Sequence, residues 1–504
     1  MAEWLQSKIV RLSELNSVEE KKDILAEIKI RLRCLSNRES EQVSQNLDYG
    51  QLFTQLTSND REFVNEVCDI LKTLFSLSEP EDIHERYATH MPRLITHHED
   101  VVRLLILQEI LCIVSDPQFL SVLLADTTLL LAAINRIADE NLTVAEYAMR
   151  IIKEIGKNAN DLQIKHTFEL LKSCTRLLAK NDTISFRIYE VVVDIAKSSK
   201  QGLEVAAQSG FLNSLFDILE DEDILLQVNA LEVLTQLALT EEGLSYLEQQ
   251  DVLRKLVQKI AQANENPLSN LLIPGLMRFF GNVARHWPNE IFSKYPVVVS
   301  SLFEVIESGD QALLGVALDT LGHVSVSAEG KYVLQALGDA MPCVLKKIAE
   351  VIQTMPTALR IRGLENLALI LDVKKAEQDN RILSLTKSWF DSLCDEPLSM
   401  IIAICRQPFA DIRQAGLEVL AVIAAQTWGQ EYISVFPGLV EFLLDTNIES
   451  FKECKEAKYE VVRQLSQAEP NMFDGTTMQK FVEFVNQGPH HVEINIEVAT
   501  YSGL

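Results

Sequence analysis

Histidines beside acids, and cysteines in number, are the residue types in this chain that could hold a metal or attack a substrate. Their spacing argues against both. His84-Glu85 followed by His90 is not an HExxH zinc pattern, because six residues part the histidines and leave them about 120° from overlap on a helix. His97-His98 and His490-His491 are adjacent pairs, and neighbouring side chains leave a helix on different faces. All read as surface or capping histidines. The eight cysteines (Cys34, Cys68, Cys112, Cys174, Cys343, Cys394, Cys405, Cys454) contain no CxxC pair, and most sit in apolar helical patterns, as Cys112 does in LLILQEILCIV. They read as reduced core thiols of a cytosolic protein. No GxGxxG and no GxxxxGK phosphate loop occurs, and no Ser–His–Asp or Cys–His set stands out. No catalytic residue, cofactor, metal or small-molecule substrate is therefore assigned, and the chain does not read as an enzyme.

A second set of polar residues recurs at fixed places in a repeated block. Its clearest copies are VNALEVLTQLALTEEG (228–243), GVALDTLGHVSVSAEG (315–330), IRGLENLALILDVKKA (361–376) and QAGLEVLAVIAAQTWG (414–429). A small anchor residue falls in one column, at Ala230, Ala317, Gly363 and Gly416, and a glycine often follows thirteen positions later, at Gly243, Gly330 and Gly429. Looser copies anchor at Ala148, Ile188 and Leu276, so the steps are 40, 42, 46, 41, 46 and 53 residues. Two columns, anchor+2 and anchor+6, lie one above the other on a helix face. The first reads Arg150, Glu190, Glu232, Arg278, Asp319, Glu365, Glu418, and the second Glu154, Asp194, Gln236, Asn282, His323, Leu369, Val422. Five acids among seven in the first column outnumber what 72 Asp and Glu in 504 residues would place there. A mostly acidic stripe suited to a basic protein surface is the functional reading. Solvated positions of an acidic protein are the bland one.

The elements that must carry these columns are helices. A repeat of about 40 residues marks an armadillo or HEAT-like solenoid, in which each unit buries its apolar face only against its neighbours. The expected fold is all-α, a single elongated superhelix whose third helices line a concave groove. Low glycine (19) and proline (14) and an apolar share of 47% suit this. Between Gly243 and Ala284 the unit resolves as GLSYLEQQ, DVLRKLVQKIAQ with Asp251 as its cap, a break at NENPLSN, and a third helix through LMRFFGNVA. We expect degenerate repeats over 1–140, with a Ser17/Glu20 capping box for a helix reaching Leu35 and a polar connector from Asn37 to Gln51. The repeat array proper spans 141–470, a capping helix 471–487, and a mostly disordered tail 488–504.

With 46 Lys and Arg against 72 Asp and Glu the net charge is −26, which disfavours nucleic acid and anionic membrane as partners. No apolar run approaches a membrane span, and the N-terminus MAEWLQSKIVRLSEL lacks the apolar core of a signal peptide. The Asn-x-Thr triplets at Asn141 and Asn181 carry no weight without one. Trp389, Phe390, Phe409 and Trp428 gather in the C-terminal third, either as an apolar contact surface or, more simply, as core between repeats.

Several ordered fragments are more specific than a generic repeat: LLIPGLMRFFGNVA (271–284), FSKYPVVV (292–299), GVALDTLGHVSVSAEGKYVLQ (315–335), KSWFDSLCDEPL (387–398), QPFADIRQAGLEVLAVIA (407–424), FPGLVEFLLD (436–445), KYEVVRQL (458–465) and QGPHHVE (487–493). In this order they resemble the family of 26S proteasome non-ATPase regulatory subunit 5, over nearly the whole chain and most weakly before Val101 and in the tail. The resemblance implies a chaperone for assembly of the regulatory-particle base. Such a protein binds the C-terminal domain of one ATPase, regulatory subunit 7, in an intermediate that also holds ATPase subunit 4 and a large non-ATPase scaffold subunit. It is absent from the mature particle. It would work in the cytoplasm, with the nucleus also open to it. The family brings no catalytic residues, so the expected partner-binding set rests on spacing alone: Glu154, Glu190, Asp194, Glu232, Gln236, Arg278, Asn282, Asp319, His323, Glu365 and Glu418.

The alternative is an armadillo adaptor for nuclear import or adhesion. That class reads basic peptides with recurring tryptophan–asparagine pairs, whereas here the second column holds one asparagine, Asn282, and no tryptophan recurs in it.

Overall fold

The computed structural model describes residues 2–178, 181–262, 271–446, 448–469 and 471–491, and among them every regular element is a helix. The chain divides into two compact units, Met1–Leu247 and Glu248–Leu504. In the first, six helices form a row in which each packs on the next: α1 (Val18–Arg33), α2 (Arg61–Phe75), α3 (Asp100–Ser115), α4 (Leu142–Asn158), α5 (Asp182–Ser198) and α6 (Ile224–Ala238). In the second, the row is α7 (Ile273–His286), α8 (Gln311–Val324), α9 (Thr357–Leu371), α10 (Ala410–Ala424) and α11 (Lys452–Leu465). Shorter helices pair with these rows, and α12 (Gly475–Gln487) covers α11 at the C-terminal end. No helix among the described residues is long and apolar enough to cross a membrane.

The repeat is legible in what its small residues permit. All seven anchors are buried, from Ala148 on α4 to Gly416 on α10. A Cβ at Gly363 would stand 3.0 Å from Ile352 Cγ1, and one at Gly416 2.9 Å from Ile404 Cγ2. The anchor column thus lets each row helix press against the helix before it. The second glycine column has a different cause. At Gly243, Gly330 and Gly429 an added Cβ would collide with the carbonyl oxygen six residues back, of Leu237, Val324 and Ile423. Gly202, one residue out of register, meets Ile195 in the same way. Each marks a tight corner where a row helix ends and the next repeat begins. A hydroxyl closes three of these corners by accepting the glycine N–H: Ser199 to Gly202 at 2.9 Å, Thr240 to Gly243 at 3.1 Å and Ser327 to Gly330 at 3.0 Å.

A third recurring device escaped the sequence reading. The fourth residue of α3, α9 and α10 is an arginine that donates back to a carbonyl of the preceding segment: Arg103 to His97 at 2.7 Å, Arg360 to Ile352 at 2.7 Å and Arg413 to Gln407 at 2.8 Å. Arg103 and Arg413 then reach forward into the next repeat. Arg103 Nε lies 3.0 Å from Asp139 Oδ2, and Arg413 Nε 3.1 Å from Glu449 Oε2. Both carboxylates are buried.

Helix starts follow ordinary capping chemistry. Asp60, Asp126, Asp223, Asp310 and Asp474 accept backbone N–H groups at N-caps. Asn141 and Asn181 do the same for α4 and α5, so the two Asn-x-Thr triplets sit at helix caps.

Four local expectations need correction. Ser17 starts α1 without a side-chain cap bond, and the capping box is made by Ser36 with Glu39. Asn37–Asn46 is a helix, not a connector. Among its described side chains Val43 is the buried one, with Leu47 buried just beyond its end. Asp251 does precede its helix, but at φ 62° its side chain caps nothing and lies 3.5 Å from Arg254 Nε instead. Cys112 is exposed, as are Cys34 and Cys343, while Cys68, Cys174, Cys405 and Cys454 are buried. The expected break at NENPLSN falls wholly outside the described residues, as does the tail beyond residue 491.

Candidate partner-binding face

Every residue of the two columns reaches solvent, exposed or half-buried, on its row helix. In the first unit they gather. Arg150, Glu190, Asp194, Glu232 and Gln236 line one groove of about 860 Å³ that runs across α4, α5 and α6. Met149, Phe186, Val193 and Val233 supply its apolar lining. Glu154 lies outside that lining and is 2.6 Å from Lys157.

The groove is less acidic than the columns alone suggest. Asp194 is bracketed by Lys153 from the neighbouring α4 and by Lys197, at 2.6 Å, from its own helix. Burial pushes its pKa up, but these hydrogen bonds outweigh burial and hold the carboxyl below its ordinary value. Among the described residues Glu190 has no such bracket. Burial raises its pKa; Lys153 pulls it back, while Asp194 and Glu232 push it further up. Glu190 and Glu232 are therefore close enough on adjacent helices to repel one another.

In the second unit Arg278 and Asn282 lie on α7, Asp319 and His323 on α8, Glu365 on α9 and Glu418 on α10. Asp319 is the most heavily engaged. It accepts from Arg362 Nη2 at 2.6 Å and from Asn366 Nδ2 at 2.9 Å, both on α9. Two glycines on α8 make this clamp fit, since a Cβ at Gly315 would strike the Arg362 guanidinium and one at Gly322 the Asn366 amide. Burial holds the His323 imidazole below its ordinary pKa; Arg285 adds to that and Asp319 opposes it. Glu365 is raised by burial first, then by Glu418 and Asp319, against the pull of Arg362. Glu418 accepts from Gln414 at 2.9 Å.

The structure thus sorts the acidic column. Asp194 and Asp319 are neutralised by cations of the chain itself. Glu190 with Glu232, and Glu365 with Glu418, form two neighbouring pairs that make no ion pair among the described residues. The neutralising residues Lys153, Lys197 and Arg362, and the ring of Phe186, were not singled out in the sequence. Lys153 and Arg362 belong to neighbouring helices, about 40 residues from the acids they serve, and reading one column at a time cannot pair them.

The aromatic residues of the C-terminal third also separate. Trp389, Phe390 and Trp428 are core, whereas Phe409 is 65% exposed. Among the described residues no group of three His, Cys, Asp or Glu could hold a metal ion. His84, expected at the surface, is buried, with Nε2 3.8 Å from Asp126 Oδ2.

A family model described as proteasome non-ATPase 26S subunit matches residues 1–503. The chain belongs to that family. It is 32% identical over 465 residues, 92% of each chain, to a Homo sapiens protein named 26S proteasome non-ATPase regulatory subunit 5. The Bos taurus protein of the same name is 31% identical over 96% of each chain. A shorter match, 30% identical over 64% of each chain, is to the Drosophila melanogaster protein of that name. Membership makes this a proteasome-related protein that interacts with proteasome components. Among solved structures, Kap121p superposes with a TM-score of 0.54 at 13% identity, over 94% of this chain and 48% of Kap121p. Kap121p bound to Nup53p gives 0.53. At that identity the likeness concerns the fold, a helical-repeat solenoid, and nothing finer.

Proposed function

We propose that this protein is a non-catalytic chaperone for assembly of the 26S proteasome regulatory-particle base. It holds the C-terminal domain of an ATPase subunit, regulatory subunit 7, in an intermediate that also carries ATPase subunit 4 and a large non-ATPase scaffold subunit. It departs before the particle is complete. The work is done in the cytoplasm, with the nucleus also open to it. The observation that supports the contact surface is the two carboxylate couples, Glu190 with Glu232 and Glu365 with Glu418, exposed on successive row helices and without an ion pair among the described residues. The neighbouring carboxylate adds to the burial that raises the pKa of Glu190 and of Glu365, and a basic surface laid across each couple relieves that repulsion. Exposed charges steer encounter and register more than they add affinity, which suits a partner that must later be released.

The test is binding of the isolated ATPase C-terminal domain to the chain and to E190K/E232K/E365K/E418K. At ~0.2–1 kcal/mol for each exposed pair, four reversals cost about 2 kcal/mol or more, a ~30-fold loss at low salt, and flatten the salt dependence. Unchanged affinity would remove the stripe from the interface. Recovery of import cargo rather than ATPase subunits from cell extract would overturn the chaperone reading itself.

A further inference from the structure

The second unit exposes an apolar row that its own repeats leave uncovered. Phe409 immediately precedes α10 and Phe451 immediately precedes α11, two helices that pack side by side. They are 65% and 49% exposed, and Ile448 beside them is 50% exposed. Cys454 Sγ donates to Ala410 O at 3.4 Å and ties the two helix starts together. The Arg413 guanidinium lies over the Phe451 ring. A groove of about 470 Å³ adjoins the row, with Ile448, Phe442 and Arg406 in its wall. Such a row of large apolar side chains along one edge needs a cover.

We propose that residues 492–504 of this same chain dock on that row. The described chain ends beside it: His490 Nε2 lies 3.3 Å from Glu456 Oε1. Glu456 is five residues, ~7.5 Å of helix, beyond Phe451. The thirteen residues that follow His491 span at most ~45 Å when extended, enough to cross both helix starts. Their sequence, VEINIEVATYSGL, alternates strictly at first. Val492, Ile494, Ile496 and Val498 share one edge of an extended chain, and Glu493, Asn495 and Glu497 the other. The apolar edge meets the row while the acids face water. The groove wall carries Arg406 and Arg413 against Glu441, Asp445 and Glu449, so no excess of positive charge is there to draw in an acidic tail. The contact is apolar, and unlike the carboxylate stripe it is insensitive to salt. The family match extends to residue 503 and so takes in this segment.

Hydrogen exchange on the full chain and on a chain ending at His491 tests the proposal, with a synthetic peptide of residues 492–504 as the probe. A short tether supplies an effective concentration of the order of 1 mM. A peptide binding with Kd ~0.1 mM in trans would therefore slow exchange at 406–413 and 448–455 by about tenfold in the full chain. That protection should be lost in the truncated chain, be restored by added peptide at both low and high salt, and be lost again in F409S/F451S. Identical exchange in the full and truncated chains, or no peptide binding to the truncated one, overturns the proposal. So would a dimer of the full chain, dependent on concentration and abolished by F409S/F451S, which would assign the row to a second copy.

Discussion

Replacing Gly330 by alanine tests whether the corner glycines, and not only apolar periodicity, define the repeat. Gly330 lies in a regular helix, Ala328–Gln335, where alanine would ordinarily gain ~1 kcal/mol over glycine. The added Cβ would, however, collide with Val324 O and stand 3.1 Å from Val324 C. These are backbone atoms at the end of α8, so no rotamer change clears them, and the corner itself must open. Overpacking of this kind costs ~1–3 kcal/mol, and a clash against fixed backbone belongs at the top of that range. After the gain in helix propensity the net loss is about 2 kcal/mol. For a unit of this size that lowers Tm by ~4–8 °C, read by thermal or urea unfolding followed by circular dichroism. The control is G475A, at the first position of α12, where an added Cβ meets nothing within 4 Å; it should be neutral or slightly stabilising. A G330A protein melting within about 1 °C of the parent would refute the steric account, as would a G475A protein that loses as much.

Two further outcomes follow from buried charge. Glu109 on α3 is buried, with no hydrogen-bond partner for Oε1 among the described residues, and burial pushes its carboxyl up to about 7. The folded state then keeps a proton that the unfolded chain has released, so stability falls as pH rises from about 4.5 to about 7, by ~3 kcal/mol in all. E109Q should be more stable than the parent at about pH 8 and equal to it at about pH 4; equal stability at both would sink the idea. R413M would strip Glu449 of its counter-ion inside the protein and cost ~3–5 kcal/mol, and R413M/E449L should recover most of it. Two variants of equal stability would mean that Glu449 finds water or another donor.

The sequence showed the helical repeat plainly because its cause is local. An apolar face with period 3.6, a small anchor and a corner glycine are each visible within one 16-residue block. The corner hydroxyls at Ser199, Thr240 and Ser327 were visible too, three residues before their glycines, but the glycines alone were read. What stayed hidden depends on neighbours a whole repeat away. Asp319 looked like an exposed acid until Arg362 and Asn366 from the next row helix closed on it. The helix Asn37–Asn46 stayed hidden for the opposite reason, since its sequence NRESEQVSQN offers one apolar residue, Val43, to mark a face. The candidate site was therefore legible as a set of exposed positions but not as a charge distribution.

The forward reach of Arg103 to Asp139 and of Arg413 to Glu449 governs where this protein can be dissected. Each pair joins partners 36 residues apart in sequence and buries the acid. A fragment whose boundary falls between 103 and 139, or between 413 and 449, would strand one ion of a couple at a raw end, and misfolding there would say nothing about partner binding. Shortened versions made to map the proposed partner contact should keep both couples whole. Removing the segment just before α4 or α11 that carries an acid would then mean removing its arginine as well.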